Sequence, residues 1–272
     1  MGAMSLLSPS DPPPVEVINP QGSASIVFVS DHDANTVPAA LGTLGLDPGE
    51  LDRHIGYDIG IARIARRLAT RFDAPLIASR YSRLICDLNR RPHWPSSIPM
   101  ISDGTVVPGN QELSAADRQS RYDALFTPYH SAISDVLDQR DRPLFVALHS
   151  FTPVQRADPT PRPWEIGFLW SEDEATSARA LAIFREMFPD IPVGANQPYS
   201  GFSAEGYTVP IHAERRGLPN LCLEFRQDLI ADDAGGDLWA DRFADALDEI
   251  WRDDARPWRS PASAPISSGA LK

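Results

Sequence analysis

The chain has 272 residues and a mass of 29.9 kDa, room for one large domain or two small ones at roughly 150 residues each. It is 42% hydrophobic and 23% charged, so a sizeable core is available and wholesale disorder is excluded. Its 37 acids outnumber 25 bases for a formal charge of -12, which argues against a nucleic-acid partner gripped by a broad basic surface but leaves room for a local pocket for a small anion.

Residues 1–22 are rich in Pro and Ser (SPSDPPP) and read as a flexible tail, as do residues 256–272 (RPWRSPASAPISSGALK). The domain proper is expected over 23–255. The opening MGAMSLL lacks the charged and apolar regions of a signal peptide. Cys86 and Cys222 each sit in an apolar run and read as buried free thiols, so a cytoplasmic location is expected. No stretch approaches the ~18 uninterrupted apolar residues of a membrane span.

The first strong strand is SIVFVS (25–30), followed by a helix over 55–72 and the strand APLIAS (74–79). RLICDL (83–88) reads as another short buried strand, and 91–110 as a Pro- and Ser-rich loop. A helix is expected over 114–139, with Ser114 as N-cap, Asp117 three residues on, and a kink at Pro128. PLFVALHS (143–150), EIGFLW (165–170) and IPVGAN (191–196) read as strands, with a helix over 173–188 between the last two. The stretch 205–217 fits neither pattern. NLCLEFRQDL (220–229) is a strand running into a polar segment, and a last helix covers 237–252 with Asp237 as N-cap. Strands alternating with helices predict an α/β domain with a mostly parallel or mixed sheet.

Ligands in such sheets bind beyond the carboxyl ends of the strands. Five apolar segments here end in polar residues: Asp31-His32-Asp33, Arg80 to Arg83, Asn89-Arg90-Arg91, His149-Ser150 and Glu224-Phe225-Arg226. Two histidines and a carboxylate suit a catalytic Zn²⁺ with one open position, and a further Glu could serve as general base. Arg83, Arg90 and Arg226, with Asn89, suit a substrate carboxylate, since a guanidinium fork binds it with two hydrogen bonds. Plainer roles exist for each. A lone strand-end His is more often a polar cap. Arg226 could neutralise Glu224, and Arg83 could pair with Asp87. His54 and Asp58, one helical turn apart in this reading, could be ligands, supports or a solvated face. His93 and His130 read as loop and surface residues, and His212 is unassigned.

The segments SDHDANTVP, HIGYDIG, YSRLICDLNRRP, PGN, PYH, ALHSFTP, RPWEIG, NQPYSG, YTVPIHAERRGLP and LEFRQDLI, in this order over residues 25–232, together resemble the N-formylglutamate amidohydrolase family. That family is similar in fold to the zinc carboxypeptidases, so the resemblance implies a single three-layer α/β/α domain with a mixed central sheet. It also implies His32 and His149 as metal ligands, Arg83, Asn89 and Arg90 at the substrate carboxylate, and Glu224 as the catalytic acid–base group. The carboxypeptidase pattern has a Glu three residues after the first His, where this chain has Asn35. The third ligand is therefore open between Asp58, preferred for its carboxylate, then His54, then Asn35.

The expected function is zinc-dependent hydrolysis of a small carboxylated N-acyl amino acid, N-formylglutamate being the type, with release of formate and the free amino acid. A zinc amidase acting on another N-acyl amino acid or a short peptide is the rival within enzymes. A metal-free binding protein for carboxylated metabolites is the rival from another class.

Overall fold

A computed structural model of the chain describes residues 6–252. In chain order these hold β1 (Val15–Ile18), β2 (Ile26–Ser30), α1 (Ile61–Phe72), β3 (Leu76–Ser79) and a small hairpin of β4 (Ile101–Ser102) and β5 (Thr105–Val106). Next come α2 (Ala115–Arg121), α3 (Thr127–Leu137), β6 (Leu144–Phe151), β7 (Ile166–Leu169), α4 (Glu174–Met187) and β8 (Val193–Ala195). The short helix α5 (Thr208–His212), β9 (Asn220–Arg226) and α6 (Asp233–Arg252) complete the set.

One seven-stranded sheet runs in the order β1-β3-β2-β6-β9-β7-β8. β3, β2, β6 and β9 are parallel, whereas β1 and β7 pair antiparallel with their inner neighbours. The central strands are buried on both faces, and their side chains alternate between two cores. Ile26 and Phe28 of β2, Val146 and Leu148 of β6, and Leu223 and Phe225 of β9 pack under α1, α4 and α6. Val27 and Val29, with Phe145 and Ala147, face α3 and the long loops instead. The result is the mixed α/β sandwich expected, with helices on both sides of the sheet. Full burial of a side chain such as Phe225 or Leu148 stabilises the fold by ~1.5–3 kcal/mol. On the outer side, arginines of α1 face aspartates of α6 in a row of exposed ion pairs: Arg63–Asp237, Arg67–Asp241 and Arg71–Asp248.

Several expectations need correction. The stretch read as an N-terminal tail contains β1, which is held by its ladder to β3 from Val15↔Ser79 to Ile18↔Leu76 and by Val15, Val17 and Ile18, which pack against the cores on the two faces of the sheet. The proposed tail at 256–272 lies outside the described residues. The helix expected from residue 55 starts at Ile61, so His54 and Asp58 do not share a helical turn. The last helix begins at Asp233 rather than Asp237. The expected Ser114–Asp117 capping box is present. Ahead of Pro128, residues Tyr122–Phe126 form a π-turn between α2 and α3, which absorbs the hydrogen bond that proline cannot donate. The ambiguous stretch 205–217 contains α5.

RLICDL is not a strand. Leu84, Ile85, Cys86 and Leu88 are buried, but the backbone turns, with Ile85 N–H donating to Ser82 O and Arg90 N–H to Asp87 O. Its inward carbonyls are satisfied by side chains from elsewhere. Asn110 donates to Leu84 O, Arg121 to Ile85 O, and His130 Nε2 to Leu88 O. Buried irregular backbone requires such partners.

Candidate active site

The alternation that builds the second core also aims the polar strand ends. His149 on β6 and Glu224 on β9 are register partners in adjacent parallel strands, so their side chains leave the same face side by side. On the other flank of Glu224 its partner in β7 is Gly167. A Cβ there would lie 2.0 Å from Gln197 O, so only glycine lets that loop cross beside the carboxylate. His32 follows the end of β2. Asp58 is brought to it by the turn before α1, where Asp58 N–H donates to His32 O at 2.9 Å.

His32, Asp58 and His149 meet in one buried cluster, with one ligand-type atom from each within 4.8 Å of the others. Asp58 Oδ2 lies 3.3 Å from His32 Nδ1 and 3.1 Å from His149 Nδ1, and accepts from Ser150 N–H at 3.2 Å. The outer nitrogen of each histidine faces a second buried carboxylate. His32 Nε2 donates to Asp87 Oδ1 at 2.8 Å, while His149 Nε2 lies 3.4 Å from Asp31 Oδ2, longer than a well-formed hydrogen bond. Asp31 is itself held by Tyr129 Oη–H at 2.8 Å and Thr208 Oγ1–H at 3.0 Å.

Burial opposes charge on all these groups, yet the pairing wins. Asp58 is held below the usual carboxylate range by His32 and His149. Asp87 is held well below it by Arg83 and His32. His149 is raised well above the usual histidine value by Asp31 and Asp58, and His32 is raised by Asp87 and Asp58. Glu224 behaves differently. Burial pushes its carboxyl up to about 7, His149 opposing and Asp58 adding to the rise. Its Oε2 is buried without a hydrogen-bond partner.

The arginines divide. Arg83 sits at the cluster, with Nε and one terminal nitrogen on Asp87 Oδ2 at 3.0 and 2.7 Å and the other terminal nitrogen 3.3 Å from Asp58 Oδ1. Asn89 and Arg90 line the same cavity. Asn89 Oδ1 accepts the N–H groups of Tyr207 and Thr208, and Arg90 Nε is 3.4 Å from Glu205. Arg226 is not part of this group. As the last residue of β9 it bonds Asp228 just beyond the strand at 2.8 Å and Pro163 O at 3.2 Å. Asn35 also turns elsewhere, to Leu51 O and Asp52. His54 reaches the cavity wall, 3.1 Å from Asp103.

His130, expected at the surface, is buried and stacks on His212, with Nδ1 and Nε2 2.9 Å apart. His93 packs edge-on against Tyr122. Sequence reasoning gave no role to Asp31, Tyr129 or Thr208, and took Asp87 only as a structural partner of Arg83. Asp31 and Asp87 carry a signal, as acids closing the apolar runs SIVFVS and LIC, whereas Tyr129 and Thr208 carry none. Cluster, arginines and Glu224 open into one cavity of about 520 Å³.

The family model for N-formylglutamate amidohydrolase matches residues 24–231. A crystal structure of a gene product from Agrobacterium tumefaciens is similar at 32% identity and a TM-score of 0.83, covering 90% of this chain and 99% of the other. N-formylglutamate amidohydrolase from Ralstonia eutropha is similar in fold, at 18% identity and a TM-score of 0.64, with 89% and 98% covered. A search of curated proteins found no match. The chain belongs to the N-formylglutamate amidohydrolase family.

Proposed function

We propose that the protein is a metal-dependent hydrolase that cleaves the amide of an N-formyl amino acid, releasing formate and the free amino acid. The observation that carries this reading is the buried His32–Asp58–His149 cluster beside the unpartnered carboxylate of Glu224. The donor set fits Zn²⁺: two imidazoles and one carboxylate, with each histidine's outer nitrogen directed at a carboxylate. These contacts leave the Nδ1 lone pairs of His32 and His149, with Asp58, to hold the ion. When bound, the ion supplies Lewis acidity for amide hydrolysis.

The chain's own residues do the rest. Glu224 accepts a proton from the attacking water at Oε2 and returns it to the departing amine, a role suited to a buried carboxylate beside the cluster whose Oε2 has no hydrogen-bond partner. Arg83, fixed by Asp87 and Asp58, offers a stationary positive charge beside the cluster where oxyanion character develops. Asn89 and Arg90 hold the substrate carboxylate. The preceding backbone is held by the bond from His130 to Leu88 O, and the Asn89 side chain by the Tyr207 and Thr208 N–H groups on its Oδ1.

The test combines metal analysis with turnover. Purified protein should contain one zinc per chain and release amino acid from N-formyl substrates. Glu224→Gln should keep zinc and melting temperature while kcat falls ~10²–10⁴-fold. A stable, zinc-loaded Glu224→Gln with near wild-type kcat would remove the proposed acid–base role.

A further inference from the structure

The short segment 205–208 touches both halves of the site. Toward the carboxylate pocket, Gly206 pairs with Arg90 in an isolated antiparallel bridge. The N–H groups of Tyr207 and Thr208 donate to Asn89 Oδ1 at 3.1 and 3.0 Å. They open α5, and the first N–H groups of a helix have no partner inside it, so the Asn89 side chain caps α5 from outside. An amide has one acceptor end and one donor end. With its oxygen held by two donors, Asn89 turns its NH₂ to the cavity it lines, which is the end a carboxylate needs.

Toward the metal cluster, the same Thr208 donates its hydroxyl to Asp31 Oδ1 at 3.0 Å, and Tyr129 Oη–H donates to that oxygen at 2.8 Å. Two donors on Oδ1 fix the rotation of the carboxylate. Its other oxygen, Oδ2, is buried without a hydrogen-bond partner and lies 3.4 Å from His149 Nε2. Thr208 is fully buried. One turn on, His212 stacks on His130 of α3, and Tyr207 packs edge-on against Phe126 and His130, so α5 is docked on α3. Of the three donors, Tyr129 holds Asp31, Tyr207 holds Asn89, and Thr208 holds both.

We infer that Thr208 is a positioning residue that makes the carboxylate pocket and the metal site one unit. Its hydroxyl anchors the start of α5 on Asp31. That anchor keeps the two N–H groups where they orient the Asn89 amide, and it keeps Asp31 aimed at His149. The inference rests on the hydrolase reading above for the roles of Asn89 and His149.

The experiment reads binding, in the full chain carrying Glu224→Gln so that ligands are not consumed. Competition with a chelator gives zinc affinity. Calorimetry with zinc in excess gives the preference for N-formylglutamate over its uncharged diamide. Thr208→Val keeps the shape and the backbone N–H but removes the hydroxyl. It should lower zinc affinity and shrink the preference, each by about two- to tenfold, the worth of one ordinary hydrogen bond. Thr208→Ser keeps a hydroxyl and should restore both. Tyr129→Phe removes the other donor to the same Asp31 oxygen without touching Asn89, so it should lower zinc affinity and leave the preference unchanged. Unchanged zinc affinity or unchanged preference in Thr208→Val overturns the inference. An equal loss of preference in Tyr129→Phe also overturns it, because carboxylate binding would then follow the metal rather than α5. So does the absence of any preference in the parent protein. Thr208→Ala takes the same measurements if the valine protein does not fold. Turnover by the protein with Glu224 intact is scored separately: its absence refutes the hydrolase reading, while the double effect of Thr208→Val on binding stands or falls by itself.

Discussion

The protein buries two pairs of histidines, and they behave in opposite ways. His32 and His149 have ring centroids 5.3 Å apart, His130 and His212 5.1 Å apart. Burial disfavours the charged form in both pairs. Around the first pair stand Asp31, Asp58 and Asp87, and both histidines are raised above their ordinary value. The second pair has an aromatic setting, Phe126 and Tyr207, and a backbone carbonyl as its fixed partner. Burial pushes His130 down to about 4 and His212 to about 3. Carboxylates, not burial, therefore separate a histidine pair fit to hold a cation from one that serves as neutral scaffolding.

The sharpest way to break this contrast is to neutralise the carboxylate shared by the first pair. Asp58→Asn keeps an oxygen for Ser150 N–H and the approximate shape, but removes the charge between His32 and His149. Zinc content should fall to background, and turnover should drop beyond the ~10²–10⁴-fold cost of losing a general base. Zinc analysis and kcat on the same preparation check this, with circular dichroism to confirm the fold. Stoichiometric zinc in Asp58→Asn would falsify its place in the donor set.

The second pair makes its own prediction, in acid. A histidine whose folded value lies below the unfolded 6.5 binds fewer protons in the fold than out of it. Stability is then lost as pH falls from 6.5 toward the folded values near 4 and 3. His130 alone should account for on the order of 3 kcal/mol across that window. Glu224 works in the opposite direction, because its folded carboxyl near 7 takes a proton before the unfolded one at 4.5. His32 and His149, raised in the fold, oppose this loss until the unfolded histidines are themselves protonated, about one pH unit below 6.5, and add no slope below that when no metal is bound. The measurement is therefore urea unfolding of metal-stripped Glu224→Gln between about pH 5.5 and 4.5, above the range where the lowered carboxylates Asp31, Asp58 and Asp87 contribute. The midpoint should fall with pH, and a further His212→Gln change should flatten the slope. A flat profile before that change would contradict the neutral-pair account.

The two pairs also differ in how far the sequence revealed them. His32, His149 and Glu224 each follow an apolar run, and a strand buried on both faces has a local signature: consecutive apolar residues closed by a polar one. The alternation in β2, β6 and β9 was therefore readable, and with it the face on which His149 and Glu224 emerge. His130 and His212 have no such signature, since their burial depends on α3 and α5 packing together over the turn at 83–88. That turn was misread because an apolar run satisfies burial equally well as a strand or as a loop. What distinguishes them is the source of hydrogen bonds to its carbonyls, here Asn110, Arg121 and His130. β1 was missed for a related reason: an edge strand can be fixed by backbone pairing while its side chains remain only partly buried. Arg226 looked like a partner for Glu224 by spacing alone, but Asp228, two residues on, holds it instead.

The outer carboxylates offer the finest test of the contrast, because they touch the histidines but not the position an ion would take. Asp87 and Asp31 each fix the tautomer that leaves Nδ1 with a lone pair. In Asp87→Asn the amide must face two Arg83 nitrogens on one side, and His32 Nε2 and the Asn89 N–H on the other. Arg83 has only donors to offer, so the amide oxygen is drawn to it and the NH₂ turns to His32. That forces the proton onto His32 Nδ1, where it blocks a ligand atom. Asp31→Asn is under less constraint, since the hydroxyls of Tyr129 and Thr208 can rotate, and its contact with His149 is 3.4 Å rather than the 2.8 Å of Asp87 with His32. Zinc affinity, measured by competition with a chelator, should fall ~10–100-fold in Asp87→Asn and by less in Asp31→Asn, and the melting temperature should fall in Asp87→Asn, which removes the buried partner of Arg83. The reverse order would mean that His149, not His32, depends more on its outer partner, and that contact length is the wrong guide to tautomer control at this site.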